Sequence, residues 1–183
     1  MVNQITGKTV AFVVTDGYED AELTSPWRAV EEAGGRPVLL APATGVVKGA
    51  KGHSQQVDGS VDGASADDFD ALVLPGGVVN ADHLRMDRHA VDFARAFFEQ
   101  HKPVAAICHG PWLLVEAGAV DGRRVTSYPS LRTDLVNAGA TWVDEEVVVD
   151  QGLVTSRRPD DLPAFDAKLV EEIAEGRHAH QHA

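Results

Sequence analysis

Four runs of unbroken apolar residues constrain the fold of this chain more than any other feature: 10–14 (VAFVV), 38–41 (VLLA), 71–74 (ALVL) and 104–107 (VAAI). A strand covered on both faces needs no polar alternation, so such runs read as central parallel strands. Parallel neighbours must be joined by crossovers, and the intervening segments have helical periodicity. Residues 26–34 carry Trp27, Val30 and Ala33 at helical spacing and stop at Gly34-Gly35, with Ser25 as cap and Pro26 as first helical residue. Residues 87–100 place Ala90, Val91, Ala94, Phe97 and Phe98 on one face. The alternation predicts an α/β fold, a three-layer sandwich around a mainly parallel central sheet, with ligands at the C-terminal ends of the strands.

The remainder fits one domain over residues 1–183. Residues 45–68 are glycine-rich and polar and read as a hairpin or an excursion at the sheet edge. Short strands are expected at 141–143, 146–150 and 153–155, with a turn at Gln151-Gly152. Residues 159–175 form the last helix on Leu162, Phe165, Leu169 and Ile173. The tail, 177–183, alternates His178, His180 and His182 and is expected to be a frayed, solvated end rather than a metal site. A net charge of −12 and a pI near 4.9 argue against nucleic acid or an anionic membrane as partner. No apolar run approaches a membrane span, and a single cysteine excludes an intramolecular disulfide framework, so a cytoplasmic location is expected.

That cysteine, Cys108, follows the fourth apolar run directly and precedes His109-Gly110-Pro111, where proline suits the first position of a helix. The stretch AICHG has the small-x-nucleophile-x-Gly form of a strand-to-helix nucleophile elbow. Amide N–H groups and the dipole of the following helix are expected to favour the thiolate. His109 is adjacent in sequence, and neighbours at a helix start do not normally face each other. Four acids, Asp16, Glu19, Asp20 and Glu22, lie within seven residues after the first strand. One of them placed against the sulfur would have a raised pKa and could donate a proton. Gly76-Gly77 after the third strand lets backbone N–H groups approach a ligand, and Asp82 lies in the polar stretch beyond.

DGYEDAEL (16–23), LVLPGG (72–77), AAICHGPWLL (105–114) and the long stretch from Thr126 to Phe165 together resemble the ThiJ/PfpI family, in its PfpI-like branch. The match is ordered and spans nearly the whole chain. The resemblance implies a flavodoxin-like α/β fold within the class I glutamine amidotransferase-like superfamily, and homodimers or larger rings. It makes Cys108 the nucleophile, His109 its neighbouring histidine and Glu19 the glutamate on the thiol. Gly77 and His109 supply oxyanion-hole N–H groups, beside Gly76. The position of the glutamate that orients the histidine from an adjoining subunit falls to Asp82, one methylene shorter.

The expected chemistry is a cysteine-dependent hydrolase of a stress response, acting on glycated or dicarbonyl substrates through the Cys108 thiolate. An intracellular cysteine peptidase with an intersubunit triad is the alternative, and a non-enzymatic redox sensor or chaperone working through oxidation of Cys108 is a third. The sequence has no glycine-rich phosphate cradle and no clustered metal ligands, so it implies no cofactor and no metal.

Overall fold

The computed structural model describes residues 4–181. In chain order the elements are β1 (Thr9–Val13), α1 (Asp20–Glu32), β2 (Arg36–Ala41), β3 (Val46–Lys48), β4 (Ser54–Gln56), β5 (Gly59–Ser60), β6 (Ala71–Leu74), α2 (Val78–Met86) and α3 (Arg88–Glu99). They continue with β7 (Val104–Ile107), α4 (Pro111–Glu116), β8 (Arg124–Val125), α5 (Arg132–Asn137), β9 (Thr141–Trp142), β10 (Val148–Asp150), β11 (Leu153–Ser156) and α6 (Leu162–Glu175). Seven strands form one sheet in the order β10-β11-β7-β6-β1-β2-β5. Every pairing in it is parallel except the β10–β11 edge.

The four apolar runs occupy the centre of this sheet, and their alternation divides the core. Val10, Phe12, Ala71, Val73, Ala105 and Ile107 face the layer containing α1 and α6. Ala11, Val13, Leu72, Leu74, Val104 and Ala106 face the opposite layer, where Phe93, Phe97 and Phe98 of α3 and Leu113 of α4 pack. Successive strand residues point to opposite faces, so continuous apolarity is what a sheet covered on both sides requires. The result is a flavodoxin-like three-layer sandwich. No described helix is long and apolar enough to cross a membrane.

Residues 45–68 do form an excursion: β3 and β4 make an antiparallel hairpin and β5 returns to the sheet edge. Two expectations are corrected. Helix α1 starts at Asp20, not at Pro26, so the proline lies inside the helix. Its missing N–H removes the bond to the Glu22 carbonyl, a cost offset because Leu23, Pro26 and Val30 are all buried on one face. Asp20 and Glu22 also complement the helix N-terminus.

The second correction concerns the tail, whose described part packs against the body of the protein. His178 N–H donates to the His101 carbonyl at 2.8 Å, and Gln181 is fully buried. The expected frayed end is absent there because these bonds satisfy backbone groups that water would otherwise hold; His182 and Ala183 lie outside the described residues.

Phe97 is wholly buried and stacks edge-on against Phe93 with ring centroids 5.1 Å apart. Phe97→Ala is expected to cost about 3–5 kcal/mol, read as a lower midpoint in urea denaturation with an unchanged slope.

Candidate active site

Cys108 follows β7 directly with φ at 61°, a left-handed conformation that an L-residue adopts only under constraint. Its N–H donates to the Ser156 carbonyl at 3.0 Å, and its carbonyl accepts from Tyr128 N–H at 2.9 Å. Gly110 closes the turn through a 2.9 Å bond to the Ile107 carbonyl. A Cβ on Gly110 would stand 2.5 Å from the Leu74 carbonyl oxygen, which explains the glycine. The elbow expected from AICHG is therefore present.

The turn brings together two side chains that sequence adjacency alone would not. Cys108 Sγ lies 3.2 Å from His109 Nδ1, and His109 Nε2 lies 3.2 Å from Ser130 Oγ. The imidazole stacks on Tyr128, with centroids 4.9 Å apart and planes 24° from parallel, and meets Trp112 edge-on. Burial lowers the His109 pKa, so the ring is neutral at neutral pH and Nδ1 is free to accept the thiol proton.

Glu22 is the acid at the sulfur. Its side chain is wholly buried, and both its carboxyl oxygens lack a fully formed hydrogen bond. It nevertheless lies close enough to the Cys108 side chain and the Gly76 amide to be stabilised by both. A Cβ added to Gly76 would lie 2.6 Å from Glu22 Oε1 and 2.7 Å from Cys108 Cβ, so the glycine is the space in which acid and thiol meet. Burial first, then the neighbouring Glu19, push the Glu22 pKa up to about 8. The group is a carboxylic acid at pH 7, placed beside the sulfur.

Glu19, the glutamate the resemblance assigns to the thiol, turns away. Its carboxylate pairs with Lys51 at 2.7 Å, while Asp20 accepts from the Lys51 and His53 N–H groups, pinning the hairpin loop to the α1 start. Glu22 shares a helical face with Pro26 and Val30, at steps of four residues. Extending the helix back to Asp20 was the signal that would have found it.

The expected stabilised thiolate is also corrected. Burial, with a contribution from Glu22, pushes the Cys108 pKa up to about 12, against the opposing pull of the Gly77 and His109 N–H groups. Helix α4 has only six residues and Cys108 is 8% exposed, so its dipole does not offset the desolvation. The Gly77 and His109 amides do point at the sulfur, where an oxyanion would form beside it. Buried Asn80, which the sequence reading did not single out, holds the Pro75-Gly76-Gly77 turn. Its Nδ2 donates to the Pro75 and Gly76 carbonyls at 3.1 and 2.9 Å, and its Oδ1 accepts from Thr15 N–H at 2.7 Å.

Asp82 is exposed on α2 and makes no hydrogen bond or ion pair among the described residues. Within one chain Ser130, not Asp82, holds the far nitrogen of His109. No spacing in the sequence could reveal Ser130, because it arrives from the loop after β8.

A strained cysteine elbow, a touching imidazole and a protonated buried carboxyl sit together at the edge of a flavodoxin-like α/β sandwich. The chain belongs to the DJ-1/PfpI family, whose model matches residues 8–172. It is 50% identical over 167 residues to General stress protein 18 of Bacillus subtilis, covering 90% of this chain and 96% of that one. It is 43% identical over 161 residues to Deglycase PfpI of Pyrococcus furiosus, covering 88% and 96%. A two-domain Anabaena variabilis structure with DJ-1/ThiJ/PfpI-like and ferritin-like domains superposes with a TM-score of 0.88 at 38% identity. That match covers 91% of this chain and 48% of the longer one.

Glu22 makes stability depend on pH. Its folded pKa is raised from the ordinary carboxyl range to about 8, so its stabilising effect is complete below the unfolded value and is lost as pH rises through 8. Glu22→Gln is expected to flatten this slope between roughly pH 4.5 and pH 8, gaining on the order of a few kcal/mol over wild type by pH 9 in urea denaturation. Gly76→Ala should keep the fold's circular dichroism but slow alkylation of Cys108 by iodoacetamide by about tenfold or more, because the added methyl separates acid and thiol.

Proposed function

We propose that this protein is a cytoplasmic stress-response hydrolase in which Cys108 adds to the carbonyl of a small dicarbonyl or glycated substrate, working as a homodimer or larger ring. The observation that carries this reading is the sulfur's position between three proton-handling groups: His109 Nδ1, the Gly77 and His109 amides, and the Glu22 acid. Relatives named as a stress protein and as a deglycase support it. So does size, since a cysteine 8% exposed admits a compact carbonyl more readily than an extended chain.

The thiol is the resting form, so the nucleophile is generated on attack. Sγ bonds to the aldehyde carbon of the dicarbonyl while its proton passes to His109 Nδ1. The carbonyl π pair moves to oxygen, which the Gly77 amide and the Glu22 O–H receive. The resulting Glu22 carboxylate takes the C–H proton of the adduct and returns it to the neighbouring carbon while the new hydroxyl passes its proton to that carbon's oxygen, so the first carbon becomes a thioester and its neighbour an alcohol without an external oxidant. Water then attacks the thioester and gives one proton to the Glu22 carboxylate, His109 gives its proton back to the departing sulfur, and the hydroxy acid leaves with all three groups restored. Amide cleavage needs a cationic imidazole steered to a leaving amine, and inside one chain Ser130 offers that ring no negative charge.

Turnover of methylglyoxal to lactate is the test. Wild type is expected to turn it over, Cys108→Ser to be inactive, and a fluorogenic peptide to remain uncut. Peptide cleavage without lactate would replace this reading with an intersubunit cysteine peptidase. No turnover of either, together with selective oxidation of Cys108 by dilute peroxide, would replace it with a redox sensor.

The pH profile of kcat/KM should be bell-shaped. Activity falls above about pH 8 as Glu22 ionises, and the acid limb lies below the usual histidine range because burial lowers the His109 pKa. In Glu22→Gln the alkaline limb should disappear along with most of the rate.

A further inference from the structure

The opposite end of the sheet carries a second cluster that the proposed chemistry does not use. Helix α6 ends at Glu175, and Gly176, with φ at 86°, turns the chain back so that His178 returns to the helix end. His178 Nε2 then lies 3.0 Å from Glu172 Oε2. Both atoms are buried, yet neither has the alignment of a hydrogen bond to any group. The Glu172 side chain is 7% exposed. One carboxylate oxygen of Glu175 joins them, the three ligand atoms lying within 4.8 Å of one another.

The placement is fixed by the backbone rather than by these side chains. His178 N–H donates to the His101 carbonyl at 2.8 Å, Gln181 N–H to the His178 carbonyl at 3.0 Å, and Gln181 Nε2 to the Lys102 carbonyl at 2.8 Å. A Cβ on Gly152 would stand 2.7 Å from His178 Cδ2 and 2.9 Å from Gln181 Oε1, so the returning segment packs directly on that glycine. A pre-positioned imidazole nitrogen and a buried carboxylate oxygen thus converge without bonding each other well.

We infer that Glu172, Glu175 and His178 form a binding site for a divalent cation of zinc type. One imidazole with two carboxylates suits zinc better than calcium or magnesium, which take oxygen ligands alone. Adjacent ligands of a tetrahedral zinc ion with bonds of about 2.0–2.1 Å lie about 3.3 Å apart, close to the Glu172–His178 separation. The exposed Glu175 carboxylate rotates inward to close the set. The C-terminal end of a 14-residue helix adds partial negative charge, and a cation there relieves the repulsion between two carboxylates one turn apart. Bound metal clamps the tail onto the starts of β7 and β11, at the end of the sheet away from Cys108.

Titration of zinc chloride into the full-length, chelator-treated protein tests this by calorimetry and thermal melting. One zinc per chain is expected, with the melting temperature raised by about 5 °C or more at zinc a hundredfold above its Kd. Glu172→Gln, His178→Ala and the exposed-site Glu175→Ala should each weaken binding by about tenfold or more. Cys108→Ser and the double variant His180→Ala/His182→Ala should bind as wild type. The proposal is overturned if Glu172→Gln and Glu175→Ala bind zinc unchanged, since the Glu172–His178 contact is then an ion pair only. It is overturned equally if binding vanishes in His180→Ala/His182→Ala or in Cys108→Ser.

Discussion

The left-handed turn at Cys108 is the constraint on which the rest of the site depends. A residue with a Cβ held at φ 61° costs about 1–3 kcal/mol, and the surroundings supply the compensation. Bonds to Ser156 and Tyr128 hold the backbone from both sides, and Gly110 lets the chain pass against Leu74. Straightening this turn would carry Sγ away from His109 Nδ1, from the Gly77 amide and from Glu22 together. The sheet is the frame: β6, β7 and β11 run parallel, so their following loops reach the same edge.

Burial makes this a site of stored protons rather than stored charge. Thiol and carboxyl are both pushed up by removal from water, and the imidazole is pushed down, so all three are neutral near pH 7. Each is then able to pass a proton in the direction that attack on a carbonyl demands. A lone desolvated cysteine would be inert, and the neighbouring base and acid are what distinguish this one. The remote cluster on α6 follows a different logic, in which two carboxylates and an imidazole converge where a cation would relieve them.

Much of this was legible beforehand. Unbroken apolar runs identified the four central strands because only a sheet covered on both faces tolerates them, and AICHG identified the elbow because its flanking residues must be small. The paired glycines at 76 and 77 were likewise marked. The acid was misassigned because Pro26 read as a helix start, which cut Glu22 off from the face it shares with Pro26 and Val30. Asp82, expected to act from an adjoining subunit, lies on an exposed turn of α2. The tail read as solvated because nothing in its composition encodes the His101 and Lys102 carbonyls waiting for it.

By itself, then, the chain determined its layers, its strand order along the sequence and the position of its cysteine elbow, all of which rest on local periodicity and turn chemistry. Only tertiary structure decided which acid meets the sulfur, that Ser130 holds the imidazole, and whether the thiol is ionised. Those outcomes depend on which groups lose water together and from which side they approach, and such proximity across tens of residues leaves no period in a sequence.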